Sequence, residues 1–141
     1  MFCRKEMALI VFLCSLLLPG LCLAEESKEK APADTLSVTE IAICDTVVNK
    51  APVDTSKIFQ QPVERLYCFI KIESCPDTTF VTHIWYWGDK KMAAVKLPVK
   101  SRRWRTWSSK RIAKEWTGEW KVEVLSSEEK LLKAIGFEIK E

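Results

Sequence analysis

Short runs of β-forming residues recur along the chain from residue 36 onward, and turn residues separate them. No stretch of a dozen residues places its apolar positions three and four apart, which is the spacing that an amphipathic helix requires. The runs span residues 36–48, 63–73, 79–87, 91–99, 102–108, 119–126 and 133–140. Seven short strands with tight connections are typical of an immunoglobulin-like sandwich. The sequence therefore predicts an all-β fold, an antiparallel β-sandwich of about seven strands that occupies residues 36–141 as a single domain.

Alternation within the runs predicts which faces are buried. In the sixth run Trp120, Val122 and Val124 share one face and charged residues occupy the other, so Trp120 is expected in the core. The third run, residues 79–87, is apolar on both faces, which indicates either a strand covered on both sides or an aromatic stripe open to a ligand. Only one connection is long, residues 49–62, and its Ile58 and Phe59 are expected to hold it across one end of the domain.

The N-terminus has the features of an export signal. Two basic residues precede an apolar run of twelve, residues 7–18, which is shorter than the roughly 20 residues that a membrane-spanning helix needs. Small residues at Cys22 and Ala24 predict a signal peptide over residues 1–24 that is cleaved after Ala24, with lipidation at Cys22 or a retained anchor as alternatives. Residues 25–35 are charged and lack an apolar face, which predicts a flexible tether. We therefore expect a periplasmic or secreted protein with at most peripheral membrane contact.

Three cysteines would remain after cleavage: Cys44, Cys68 and Cys75. An exported protein meets an oxidising compartment, so one disulfide is expected. Cys68 and Cys75 flank the end of one predicted strand, whereas Cys44 and Cys68 lie on different strands. We therefore expect a bridge between Cys44 and Cys68, and the alternative is that all three are buried small apolar residues.

A basic block, residues 90–114, contains ten lysines and arginines and no acidic residue, although the formal net charge of the chain is only +3. In a regular strand Trp107 shares a face with Arg103 and Arg105, while Trp104 lies on the opposite face. One indole is then expected in the core and the other stacked under guanidinium groups. The block is interpreted either as a solvated face balanced by acids such as Glu115, Glu119 and Glu123, or as an anion-binding surface.

The motifs HIWYWGD, RWRTWSSKRI and GEWKVEV, preceded by LYCFIKI, resemble the bacterial domain of unknown function 2914 when they occur in this order. The resemblance extends from about Ile43 to Ile139. It implies a β-rich domain in a periplasmic setting, and it implies no activity.

Catalytic and cofactor chemistry finds little support in the residues. His83 is the only histidine, and neither a Gly-x-Ser-x-Gly elbow nor a papain-like cysteine signature accompanies it. One histidine and scattered cysteines do not make a metal site, and the glycines are too isolated for a phosphate loop. We expect no catalytic residue, no metal and no cofactor.

The sequence thus favours a noncatalytic binding or interaction module, and the alternative is a periplasmic hydrolase or transferase that uses His83. The candidate ligand-binding residues are Arg103, Arg105, Trp107, His83 and Trp85. The expected partner is an anionic envelope glycan, a lipid head group or an acidic protein. Nucleic acid is not expected, because it does not suit the compartment.

Overall fold

The computed structural model of the chain describes residues 36–73 and 77–141. The predicted signal peptide, the predicted tether and Cys75 lie outside the described residues. In chain order the strands are β1 (Ser37–Val48), β2 (Ala51–Thr55), β3 (Ile58–Gln60), β4 (Arg65–Glu73), β5 (Thr79–Trp87), β6 (Lys90–Val99), β7 (Arg103–Arg111), β8 (Gly118–Leu125) and β9 (Leu131–Lys140).

The strands form two sheets that pack into a sandwich. One sheet has four strands in the order β2-β1-β4-β7, and the other has five in the order β3-β9-β8-β5-β6. All pairings are antiparallel except that of β3 with β9, which is parallel. The prediction of an all-β sandwich is confirmed, with nine strands in the described part of the chain rather than about seven.

The two additional strands come from the segment that was expected to be a long connection. In residues 49–62, β2 pairs with β1 and β3 pairs with β9. Phe59 is half-buried and packs against the core, whereas Ile58 is 54% exposed and makes no such anchor. The segment therefore adds one edge strand to each sheet.

Alternate residues of both sheets fill a single core between them. Trp120 is only 2% exposed and lies with Val122 and Val124, which confirms the inward face predicted for the sixth run. The ring of Trp120 stacks on Phe137 with a centroid separation of 6.0 Å. The apolar alternation of β8 therefore marks its inward face correctly.

Strand β5 is covered on both faces, which resolves the ambiguity of its sequence. On its inward face Val81, His83 and Trp85 are fully buried, and lysines lie over aromatic rings on its outward face. The ammonium of Lys96 lies 4.0 Å from the ring centroid of Phe80, and that of Lys121 lies 4.9 Å from the ring of Tyr86. Such contacts place lysine side chains over rings that would otherwise face water.

Strand β1 changes partner along its length. Its first part, Ser37 to Cys44, pairs with β4, and its last part, Cys44 to Val48, pairs with β2. Asn49 and Lys50 join β1 to β2 with φ angles of 52° and 59°. A two-residue connection with both φ angles positive is the type I′ turn that suits the twist of a hairpin.

Within the ranges that the structure describes, no helix is long and apolar enough to cross a membrane.

Candidate functional site

The basic block forms one side of the sandwich. It contains β6, an edge strand of the five-stranded sheet, and β7, an edge strand of the four-stranded sheet. These two edge strands also lie next to each other across the sandwich. Lysines and arginines on edge strands discourage pairing with strands of other molecules. The block therefore has a structural role along this side, and any binding role must come from a more specific arrangement within it.

Such an arrangement occurs on the outer face of β7. Arg103 and Arg105 are exposed and Trp107 is half-buried, and the alternation of the strand places all three on one face. They lie opposite Glu73, Lys71 and Phe69 of β4 respectively. The face predicted for Arg103, Arg105 and Trp107 is therefore present, and its neighbour strand adds a further cation.

These residues line an open cleft of about 890 Å³. We call it the β7 cleft, and its lining residues are Lys50, Lys71, Glu73, Ser101, Arg103, Trp104, Arg105, Thr106 and Trp107. Trp104 packs against the core, as expected for one of the two tryptophans of this strand, and it also reaches the cleft. Both tryptophans thus contribute to the same site.

The tip of the β1–β2 hairpin forms the remaining wall. Nη1 of Arg105 donates a hydrogen bond to the carbonyl oxygen of Lys50 at 3.4 Å. Since β4 lies between β1 and β7 in the sheet, this contact requires the hairpin to cross the outer face of β4. Phe69, on the outer face of β4, is only 1% exposed although it is not part of the core between the sheets. The hairpin thereby converts a flat sheet face into a concave site.

The β7 cleft is electropositive because four of its lining residues are cationic and one is acidic. Nε of Arg103 lies 4.0 Å from Oε1 of Glu73, and the two side chains are 87% and 36% exposed. An ion pair this long and this exposed neutralises little charge. A second ion pair joins Lys121 to Glu123, away from the cleft. Glu123 therefore pairs with a lysine that lies outside residues 90–114.

The six tryptophans differ in how far their rings are engaged, and all six lie within the described residues. Four of them have ring contacts or donate an indole hydrogen bond, namely Trp85, Trp87, Trp116 and Trp120. The exceptions, Trp104 and Trp107, have neither kind of contact, and both line the β7 cleft. No guanidinium group stacks on Trp107, so the stacking expected there is absent from this structure.

His83 and Trp85 lie in the core, apart from the β7 cleft. Both side chains are fully buried on the inward face of β5. Nδ1 of His83 lies 2.7 Å from the hydroxyl oxygen of Ser108, which also accepts a hydrogen bond from Nε1 of Trp85 at 3.0 Å. The structure thus brings together Arg103, Arg105 and Trp107 of the five candidate residues, and it places the other two in a separate buried cluster.

The buried cluster has the spacing of a nucleophile and its base but not their accessibility. Ser108 is 4% exposed, and Nε2 of His83 is buried without a hydrogen-bond partner. Burial lowers the pKa of His83 from 6.5 to about 4, so the imidazole is neutral at physiological pH. Of the residues that the structure describes, no group of three or more histidine, cysteine, aspartate or glutamate side chains is arranged to hold a metal ion.

The disulfide expected between Cys44 and Cys68 is not formed, since both thiols are free and buried. The register explains why. Cys68 lies opposite Ile43, and Cys44 lies opposite Tyr67, so the two cysteines project from opposite faces of the sheet. Cysteines whose Cβ atoms point apart cannot be bridged without moving the backbone. Burial also raises the pKa of both thiols, which keeps them protonated and unreactive.

Lys50, Lys71 and Glu73 line the β7 cleft, and the sequence pattern did not single them out. Lys71 is the one charged residue inside the apolar run of β4. Its place beside Arg105 follows from the register of β4 against β7, which the sequence alone does not give. Lys50 joins the site only through the bend of the hairpin, and no local pattern encodes that bend.

Residues 78–139 match the model of a family described as "Protein of unknown function (DUF2914)". The match confirms the resemblance from residue 78 onward, and it covers β7 together with the residues of the buried cluster. Lys50 and Lys71 lie outside it. A search of curated proteins found no significant match.

Proposed function

We propose that this domain is a noncatalytic binding module of the bacterial envelope that holds an anionic ligand in the β7 cleft. The observation that carries the proposal is the convergence of Lys50, Lys71, Arg103 and Arg105, which come from three separate parts of the chain, on one concave site. Cations that only protect a strand edge have no need of a concavity or of contributions from a distant hairpin. Ligand sites are usually concave, with a small number of polar or charged groups that fix the orientation of the ligand.

The chemistry of the lining supports an anion as the ligand. Arginine offers a planar fork of donors that matches carboxylate and phosphate groups in a bidentate way. Arg103 and Arg105 are exposed, and they are two residues apart on one strand face, so both forks are available to a single ligand. The surrounding positive field would also speed encounter with an anion and would weaken as salt screens it.

The burial of His83 and Ser108 supports binding over the alternative of hydrolase or transferase chemistry at His83. A substrate would have to enter the core to reach either side chain. The hydrogen bonds to Ser108 suit a structural role, because they pair polar atoms that burial would otherwise leave without partners.

Export through the cleavable signal peptide is part of this proposal, because it determines which anions the domain meets. We expect the native protein to begin at Glu25, and mass spectrometry of its N-terminal peptide measures this directly. A diacylglyceryl group on Cys22 would instead place the domain on a lipid anchor.

The binding proposal is tested with polygalacturonate and polyglutamate, two polyanions that present carboxylates on different backbones. Affinity for at least one of them should be measurable at low ionic strength and should fall steeply as salt is added. The double variant Arg103→Gln/Arg105→Gln should remain folded and lose most of this affinity.

The matched control is Lys90→Gln/Lys91→Gln. It removes the same charge from the same basic block at exposed positions outside the β7 cleft. Equal losses in the two double variants would show that the net charge of the block matters and that the cleft does not. Absence of binding to either polyanion at low salt would overturn the proposal.

A further inference from the structure

We infer that the anionic ligand of the β7 cleft is an acidic glycan, a chain of sugar rings that carry carboxylate groups. This inference rests on the proposed function and specifies its ligand. It comes from the two tryptophans of the cleft, which an anion site made of cations alone would not need.

The indoles of Trp104 and Trp107 are the first line of support. Neither ring contacts another aromatic ring or a cation, and neither Nε1 atom donates a hydrogen bond within the described residues. The sole buried side-chain nitrogen or oxygen that the described residues leave without a partner is Nε2 of His83. The two indole N–H groups are therefore accessible, and both residues line the cleft.

Sugar rings match such indoles in two ways. The C–H groups on the face of a pyranose ring are weakly electropositive and lie well against the electron-rich face of an aromatic ring. The hydroxyl and ring oxygens of the sugar accept hydrogen bonds, and the indole nitrogen is a donor only. Lys50, Lys71 and the two arginines are also donors only, so most of the lining calls for a ligand rich in acceptors.

The dimensions of the cleft suit a chain of rings better than a single head group. The lining follows β7 from Arg103 to Trp107, a distance of about 13 Å at the usual rise per residue of a strand. Cations lie along this length with an indole at its end. A ligand that uses all of them must present several charges and at least one ring.

A membrane surface fits the site less well. Domains that dock on lipid insert apolar side chains beside their cations. Among the described residues, the large hydrophobic side chains that are exposed are Val48, Ile58 and Leu131, and none of them lines the β7 cleft. The concave shape also contrasts with the broad surface that an acidic protein partner would need.

The test compares three short oligomers of equal length by calorimetry at low salt: oligogalacturonate, oligoglutamate, and an uncharged oligomer of galactose. Oligogalacturonate should bind most tightly, because it alone has both rings and carboxylates. Trp107→Leu should weaken oligogalacturonate binding about tenfold, which is the scale of losing one stacked ring, and should leave oligoglutamate binding unchanged. Trp107→Phe should retain most of the affinity, because it keeps an aromatic ring at this position, and it controls for loss of folding.

Equal affinity for oligogalacturonate and oligoglutamate, with both insensitive to Trp107→Leu, would overturn the glycan assignment and leave the anion site intact. Loss of all binding in Arg103→Gln/Arg105→Gln alone does not discriminate between ligands, so it tests only the proposed function. Tightest binding to anionic lipid vesicles or to oligoglutamate would assign the cleft to those ligands instead.

Discussion

The hydroxyl group of Ser108 organises the polar part of the core. It accepts a hydrogen bond from the indole of Trp85 and lies 2.7 Å from Nδ1 of His83, so one small side chain from β7 bridges two large ones from β5. Buried polar groups are tolerated when they are paired. Nε2 of His83 is not paired, and its burial has a consequence for stability that can be measured.

Stability should depend on pH through His83. Its pKa is lowered to about 4 in the folded protein, so between that pH and its usual value of 6.5 the unfolded chain binds the proton more strongly. The free energy of unfolding should therefore not be reduced by this residue above pH 6.5. It should fall as the pH drops towards 4, with a total loss of about 3 kcal/mol from this residue. Thermal midpoints of the wild type and of His83→Asn across this range measure the effect. Parallel curves for the two proteins would contradict this account, because carboxylates contribute equally to both.

Truncation of Trp120 measures how much the core contributes to stability. It is 2% exposed and contacts Trp87, Trp116 and Phe137, so Trp120→Ala should lower the free energy of unfolding by about 3 to 5 kcal/mol. Urea denaturation measures this, with Trp107→Ala as the matched control. The half-buried Trp107 makes no ring contact, so its truncation should cost clearly less. The reverse order would show that the ring cluster around Trp120 is not a main source of stability.

Strand β7 and the β1–β2 hairpin are the elements that make the site. Residues from both faces of β7 line the cleft, and β7 is an edge strand with no neighbour beyond it in the four-stranded sheet. The hairpin supplies the opposing wall because its tip reaches Arg105. At that tip Lys50 adopts a φ of 59°. Residues other than glycine and asparagine seldom take this conformation.

Substitutions at Lys50 should separate the shape of the turn from its charge. Lys50→Gly suits the positive φ and should raise the free energy of unfolding by about 1 kcal/mol, whereas Lys50→Val should lower it, because a β-branched residue is strained in this conformation. Differential scanning calorimetry of both variants measures the order. A midpoint for Lys50→Val at or above that of Lys50→Gly would mean that the turn does not hold this conformation in solution.

The elements also show what local sequence can and cannot encode. Each of the seven predicted runs corresponds to a strand, because alternation and β-branched residues report directly on a half-buried ladder. Strands β2 and β3 were not predicted. Strand β2 is short and contains Pro52, and β3 has only three residues, which are too few to show alternation. The face shared by Arg103, Arg105 and Trp107 followed from the period of a strand. The burial of His83 with Ser108 and the position of Lys50 depend on packing between elements that are distant in sequence, which no local pattern specifies.

At the scale of the whole molecule, charge is segregated although its net value is only +3. The basic block places cations on the edge strands of both sheets along one side of the sandwich. The β7 cleft opens on the outer face of β7. A segregated field of this kind favours the approach of anions from solution, and it weakens as salt is added. The same arrangement places cations on the exposed sheet edges, where they discourage pairing with other strands.

The six tryptophans allow a direct measurement of whether an anionic ligand occupies the β7 cleft. Nuclear magnetic resonance of the ¹⁵N-labelled protein resolves one indole N–H signal for each tryptophan, and oligogalacturonate can be titrated against all six at once. If the ligand occupies the β7 cleft, the Trp104 and Trp107 signals should shift saturably, while those of Trp85, Trp87 and Trp120, whose N–H groups already donate within the protein, stay in place. Saturable shifts confined to Trp87 and Trp116, or no saturable shift at low salt, would contradict it.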